Sequence, residues 1–410
     1  MNKRRIILLV FLVSAVALVC GASAFVREEK IWIEADGATI EETFRPDFRT
    51  RAEVVFRYGG DYKRFCESEY SGNNEECLRR LNKDFYDRLL SLCDRLEIVP
   101  VEPEATFSKE GFSYAEGIPG RKVDRERFFA DAVSALSSKN VVTVCFLPVE
   151  PKNTVDDLRE KTRRVSSFST DYSTSATGRK TNVAVACDRI DGTTVLPGER
   201  FSFNETVGER AEKNGFKKAK IIVDGEFVDG IGGGVCQVST TLFDAWMLAG
   251  LGAERAAAHS LPVSYVAPSM DAMVSSSSDL VLVNDRETPV YLRARADGNR
   301  IVVEVFGEPL SYEVKLRSVT EKILPAGYVE KYLDLDWAEE ETERIVKAGK
   351  DGRISVCYRD YYDGGKLVKS EFLRRNVYKP QDGERAKRKD VKKPTEDPSA
   401  FFLLSSITPW

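Results

Sequence analysis

A chain of 410 residues, 42% hydrophobic and 31% charged, is long enough for two or three soluble domains. Its net charge of −4, with no Lys/Arg stripe interleaved with aromatics, argues against nucleic-acid partners. A single histidine and the lack of any Cys-x-x-Cys pair argue against a zinc site, and no motif for a cofactor or another metal stands out.

At the amino end, Lys3, Arg4 and Arg5 precede an apolar run over 6–26 that contains Ala22-Ser23-Ala24, a signal-type cleavage site. The run reads as a signal peptide or as an uncleaved anchor in the cytoplasmic membrane. In both readings the positive-inside rule puts the chain after residue 26 outside the cell, secreted or membrane-anchored. Eight cysteines in an exported chain invite disulfides. Cys20 belongs to the export segment. Cys66, Cys77, Cys93, Cys145, Cys187, Cys236 and Cys357 remain, an odd number, so at least one is free or pairs between molecules. Cys236 is the nominee for the free thiol, and two of Cys66, Cys77 and Cys93 lie close enough in sequence to pair.

The expected fold class is α+β and multidomain. Residues 30–160 read as an α+β module. Leu78, Leu81, Phe85, Leu89, Leu92 and Leu96 recur at helical spacing over 73–96, after a start signal at Ser71-Gly72-Asn73. Strands are expected over 52–58 and 142–148. A second helix is expected over 124–137, capped by Asp124 and turning Phe128, Phe129, Val133 and Leu136 to the core. The Ser/Thr-rich stretch 166–178 reads as a linker or entry loop.

A second unit spans 170–305. Residues 182–187 form a strand or a short helix. Pro197-Gly198 marks a turn, Asp224-Gly225 marks a hairpin, and strands are expected over 280–283 and 290–294. From Gly230 the chain reads Gly-Ile-Gly-Gly-Gly-Val-Cys-Gln-Val-Ser-Thr-Thr and then turns apolar. Val238, Leu242, Ala245 and Ala249 share one helical face while Phe243 and Met247 lie on the other, so the helix should be buried all round and stop at Gly250 and Gly252. A third unit, 310–380, reads as mostly β, with a hairpin around Asp363-Gly364-Gly365. The charged and Pro-containing tail over 384–410 reads as disordered.

Chemistry concentrates at the glycine turn. Cys236 should stand at the amino end of the buried helix, where the macrodipole and free N–H groups favour a thiolate. Any step that needs an imidazole falls to His259, the sole histidine. Backbone N–H groups at Cys236 and around Gly233 and Gly234 are candidates for an oxyanion hole. The imidazole needs an orienting group, for which Asp271 and Asp279 compete and Asp271 is favoured. Gln237 reads as a substrate ligand or as a satisfied buried amide. Ser260, next to the histidine, is a candidate substrate contact. Arg210, Arg179 and Arg255 are candidate partners for a substrate carboxylate.

Phe201-Ser202-Phe203-Asn204, Gly208-Glu209-Arg210, Gly215-Phe216, the run from Gly232 through Cys236 to Leu242, and His259-Ser260 together resemble the VanW family, named for a component of B-type vancomycin-resistance clusters. The resemblance covers about 170–305 and implies a VanW domain built on the buried helix, packed against strands. The preceding segment is similar to the peptidoglycan-binding module found ahead of VanW, and the third unit resembles a G5 domain. This order is similar to exported cell-wall proteins of Gram-positive bacteria. The family carries a glycine before its Asp-Ala-Thr-Val, where this chain has Met270-Asp271-Ala272-Met273-Val274. The resemblance implies a cysteine L,D-transpeptidase that cross-links peptidoglycan stem peptides, with stem peptides and glycan as partners; water in place of the acceptor amine makes it a carboxypeptidase. The competing expectation is a non-catalytic adaptor that binds wall or glycopeptide.

Overall fold

Two hydrophobic cores form around separate sets of side chains, one before Cys145 and one after Thr170. A computed structural model describes residues 28–223, 226–333, 335–338 and 341–388. The expected export segment, the Asp224-Gly225 turn and the tail beyond 388 lie outside the described residues. The chain divides into two compact units: the described residues up to Ala105 with Tyr114–Leu158, and Thr106–Ser113 with the residues from Arg159 on.

In the first unit, the strands Glu29–Ala35 and Ala38–Phe44 form an antiparallel hairpin, and Val141–Thr143 adds to it in parallel. Helices cover this sheet. The strand expected over 52–58 is instead the helix Phe48–Tyr58, capped by Asp47, whose carboxylate accepts from Thr50 N at 3.0 Å. Val54 is its buried residue, so the apolar pair Val54-Val55 is one core contact and one exposed side chain rather than a strand. The helix expected over 73–96 divides at Asn82, whose extended backbone ends Asn74–Leu81 while its side chain caps Lys83–Leu96. Helix Arg125–Ser138 starts at Asp124 as expected and buries Phe128, Phe129, Val133 and Leu136. Residues 142–148 divide between Val141–Thr143 and Phe146–Val149, strands of different sheets. Cys66 and Cys77 form a disulfide between neighbouring helices.

The second unit is built around the helix Val235–Leu248. An antiparallel sheet in the order Arg163–Asp171, Arg300–Gly307, Val290–Ala296, Thr193–Val195 packs against it. The stretch expected as a linker is thus the strand Arg163–Asp171 followed by the start of the helix Thr177–Ile190, which also takes in 182–187. Its hydroxyls bond to the central helix: Ser166 Oγ donates to Ala245 O at 2.6 Å, and Thr170 Oγ1 lies 2.8 Å from Thr241 Oγ1. Polar composition and strand structure are reconciled by those partners. Arg200–Ser202, Val281–Val283 and Gly252–Arg255 form a second small sheet.

Beyond Gly307 come two β-sheets. Glu313–Leu324, Gly352–Asp363 and Lys366–Tyr378 pair antiparallel, and the turn at Gly364 and Gly365 has φ of 55° and 81°, the conformation a tight hairpin of this kind requires. The tail is a strand at its start: Gly383–Arg388 pairs in parallel with Tyr328–Leu333 and antiparallel with Glu343–Lys347. Its charges meet opposite charges across the strands, Glu384 with Lys331 at 2.7 Å and Lys387 with Glu330 at 2.6 Å. The chain is therefore a multidomain α+β protein with a β-rich end. Among the described residues, no helix is long and apolar enough to cross a membrane.

Candidate thiol site at the mouth of the central helix

Three glycines aim the central helix. Gly234 precedes it at φ 107°, and a Cβ there would meet Arg179 Cγ at 2.9 Å. A Cβ on Gly233 would lie 2.4 Å from Lys220 O, so only glycine lets the turn approach the strand Lys218–Val223. The amide of Asn182 fixes this approach. Its Nδ2 donates to Lys217 O and Gly233 O, both at 3.0 Å, and its Oδ1 accepts from Lys217 N at 2.7 Å. The helix then runs through the core, burying Val238, Leu242, Phe243, Ala245, Trp246 and Met247. Each of these but Ala245 contributes about 1.5–3 kcal/mol. Cys236 lies in the first turn, half-buried and free.

His259 and Asp271 come from the irregular segment between the strands Gly252–Arg255 and Val281–Val283. Met273 N donates to Ala257 O at 2.7 Å and draws its two limbs together. Asp271 Oδ2 lies 2.6 Å from His259 Nδ1 and also accepts the His259 backbone N–H at 2.7 Å. The His259 ring lies near enough to Cys236 for each to shift the other's titration, and the Cys236 thiol donates to Val274 O at 3.2 Å. Sulfur, imidazole and carboxylate are therefore neighbours at the mouth of the helix.

Burial pushes the Cys236 thiol up, but the hydrogen bond and charge of His259, with Arg210 beyond, outweigh it and bring the thiol below its ordinary range. Burial opposes the charged form of His259 as well. Asp271 and Cys236 overcome it and raise the imidazole to about 9. Asp271, buried yet bonded to His259 and Tyr378, is held below the usual carboxylate range. Each shift favours the charged form of its group: thiolate at Cys236, imidazolium at His259 and carboxylate at Asp271.

The other expected residues surround these three in different ways. Arg210 is close enough to Cys236 and Asp279 to feel both charges; its Nη2 donates to Asn204 Oδ1 at 2.6 Å and its buried Nε lacks a partner. Gln237 is committed internally, accepting from Arg179 Nη2 at 2.8 Å and donating to Thr170 Oγ1 at 3.0 Å and Asp171 O at 2.8 Å. Of its two readings, the satisfied buried amide fits this geometry. Ser260 is exposed, and its carbonyl accepts from Lys379 N at 2.9 Å. Arg255 lies exposed on the strand Gly252–Arg255. Asp279 bonds Ser202 Oγ and Asn204 N at 2.6 and 2.8 Å, leaving the imidazole to Asp271.

Sequence reasoning passed over Tyr265, Arg374 and Tyr378. Tyr265 OH lies 3.5 Å from Cys236 O. Tyr378 donates to Asp271 Oδ1 at 2.5 Å from 107 residues away in the chain, a distance no local pattern announces. Among the described residues, no group of three or more His, Cys, Asp or Glu side chains is arranged to hold a metal ion.

Part of this chain is similar to known proteins. Residues 178–306 match the family described as VanW like protein, and the chain thus carries a VanW-like domain there. It is similar to "Uncharacterized protein YoaR" of Bacillus subtilis (strain 168), 38% identical over 146 residues, covering 35% of this chain and 48% of that protein. It is also similar to "Vancomycin B-type resistance protein VanW" of Enterococcus faecalis (strain ATCC 700802 / V583), 26% identical over 133 residues, covering 31% of this chain and 48% of that one. The chain spans about half the length of these curated relatives. Among solved structures, a crystal structure of HP0197-G5 aligns over 19% of this chain and 99% of that one, at 23% identity and a TM-score of 0.13. The IgA1 protease G5 domain aligns over 19% and 93%, at 20% identity and the same TM-score.

Proposed function

We propose that this chain is an extracellular peptidoglycan-processing enzyme, a cysteine L,D-transpeptidase that cross-links stem peptides through a thioester. The observation that carries the reading is the grouping of Cys236, His259 and Asp271 at the mouth of the central helix. Likeness to a vancomycin B-type resistance protein and the signal-type amino end support a cell-wall setting. In this reading 30–160 holds the wall, 170–305 carries the chemistry and 310–380 completes it.

The thiolate of Cys236 attacks the carbonyl carbon before a terminal D-residue, and the tetrahedral oxyanion takes hydrogen bonds from N–H groups of the first helical turn beside Gly233 and Gly234. The C–N bond breaks as the leaving amine takes the proton from His259, and an acyl thioester remains. An amine from a second stem then gives a proton to His259, attacks the thioester carbon and releases the thiolate, leaving a new amide cross-link. Water in place of the amine gives a carboxylic acid and makes the protein a carboxypeptidase. The unpartnered Nε of Arg210 suits the carboxylate of the departing D-residue, and Ser260 lines the approach. Gln237 serves by holding Arg179 and the helix start.

Incubating the exported body with muropeptides and examining the products by mass spectrometry tests this. Cross-linked dimers or trimmed stems are expected, and Cys236→Ala should lower their formation at least about a thousandfold. Unchanged product from a folded Cys236→Ala protein would rule out the nucleophile. No product together with an iodoacetamide-inert Cys236 would favour the adaptor reading.

A further inference from the structure

The segment that carries His259 and Asp271 is held by the carboxy-terminal sheet, chiefly through side chains of the strand Lys366–Tyr378. Arg374 and Tyr378 lie four residues apart on Lys366–Tyr378 and so share a face, while Arg375 and Val377 on the other face are exposed. Arg374 Nε donates to Ser269 O at 2.8 Å, its Nη1 to Ala256 O at 3.3 Å, and its Nη2 to Asp271 O. Tyr378 is fully buried. Its hydroxyl accepts from Ser269 N at 2.6 Å and donates to Asp271 Oδ1 at 2.5 Å. Ser269, at φ 65°, is fastened to the same sheet through Ser355, with the two hydroxyl oxygens 2.6 Å apart.

The two carboxylate oxygens of Asp271 are thus divided. Oδ2 serves His259 through ring and backbone, and Oδ1 is occupied by Tyr378. A carboxylate held at both oxygens cannot rotate, so the imidazole it faces keeps one aim. Resting on the reading of Cys236 as nucleophile, we propose that Tyr378 is a positioning residue for that site, the fourth member of a line that runs Cys236, His259, Asp271, Tyr378. The carboxy-terminal sheet is then part of the site, and the VanW-like segment is incomplete without it. Burial and the charge of Asp271 push the phenol upward, which keeps it a hydrogen-bond donor at neutral pH. The other charged or titratable groups facing the line are Arg210 and Tyr265 beside Cys236, and Asp244 and Arg374 near Asp271.

The test is the pH profile of Cys236 alkylation in the full exported chain, resolved by peptide mass spectrometry, for Tyr378→Phe and Tyr378→3-fluorotyrosine. Losing the donor makes Asp271 harder to keep ionised and loosens the imidazole, so in Tyr378→Phe the acid-side inflection should move to higher pH. A one-unit move lowers the rate about tenfold on the acid limb, below both inflections. Fluorination strengthens the donor, alters no shape of consequence, and should move the inflection the other way. It also decides the matter if Tyr378→Phe does not fold. A merely structural tyrosine would change melting temperature and leave both profiles in place; that result, in folded variants, overturns the proposal. The readout uses no muropeptide. A protein inert toward muropeptides whose profiles shift as expected would therefore count against the transpeptidase reading alone.

Discussion

Cys236 and His259 stand close enough that each shifts the other's titration, the thiol downward and the imidazole upward. Alkylation of Cys236 should retain its rate below the ordinary thiol range near pH ~8.5, because the thiolate persists as long as the imidazolium stands beside it. A profile with an ordinary thiol inflection would contradict the pair. The chain's single histidine gives a second view: with labelled histidine, one imidazole titrates, and its midpoint is expected at about 9 rather than near 6.5. Asp244 is a different case. It is fully buried on the central helix, neither carboxyl oxygen has a hydrogen-bond partner, and burial drives its titration well upward despite Arg374. The folded state therefore keeps it protonated while the unfolded chain ionises it near pH ~3.9. The sign follows. Its cost to stability is absent below that pH and grows as pH rises until the folded group itself would ionise. Asp244→Asn should accordingly raise thermal stability at pH 7, with the gain vanishing toward pH 4. An equal gain at both pH values would refute protonation as the cause.

At the scale of elements, the glycine turn and the strand Lys218–Val223 make one joint. Asn182, fully buried on the helix Thr177–Ile190, supplies three of its hydrogen bonds. Asn182→Ala should cost about 3 kcal/mol by orphaning buried backbone groups, and it should blunt Cys236 reactivity because the helix start loses its seat; denaturant melts read beside alkylation rates check both. This joint also shows how far the sequence could be read. The helix start and its all-round burial were legible because glycine and apolar periodicity are local signals, and a lone imidazole left His259 as the one histidine to weigh, with Asp271 and Asp279 both open as its partner. The strand Arg163–Asp171 was not, since hydroxyls whose partners lie on the central helix look like a loop until that helix is in place. Phe48–Tyr58 misled for the converse reason: adjacent valines suggest a strand, yet the Asp47 cap decides for a helix. Gly383–Arg388 reads as a disordered charge run until the strands bearing the opposite charges are known. Tyr378 left no trace, because its role exists only after distant strands have paired.

For the whole molecule, the two hydrophobic cores have different supports. The first contains the disulfide Cys66–Cys77, which joins Tyr62–Glu69 to Asn74–Leu81 over a sequence separation of 11. A loop that short removes chain entropy from the unfolded state worth about 3 kcal/mol. The second core surrounds the central helix, and its cysteines Cys187 and Cys236 are free, as is Cys357 on the strand Gly352–Asp363. Reduction should therefore weaken the first unit alone. With a phosphine reductant, the melting transition of that unit is expected to fall by roughly 10 °C, and the alkylation rate and pH profile of Cys236 should stay where they were. Differential scanning calorimetry, run beside thiol labelling after the reductant has been removed, reads both at once. A fall in Cys236 reactivity under reduction would mean that the thiol site depends on the disulfide-bearing unit. The chemistry could then no longer be assigned to the second unit by itself.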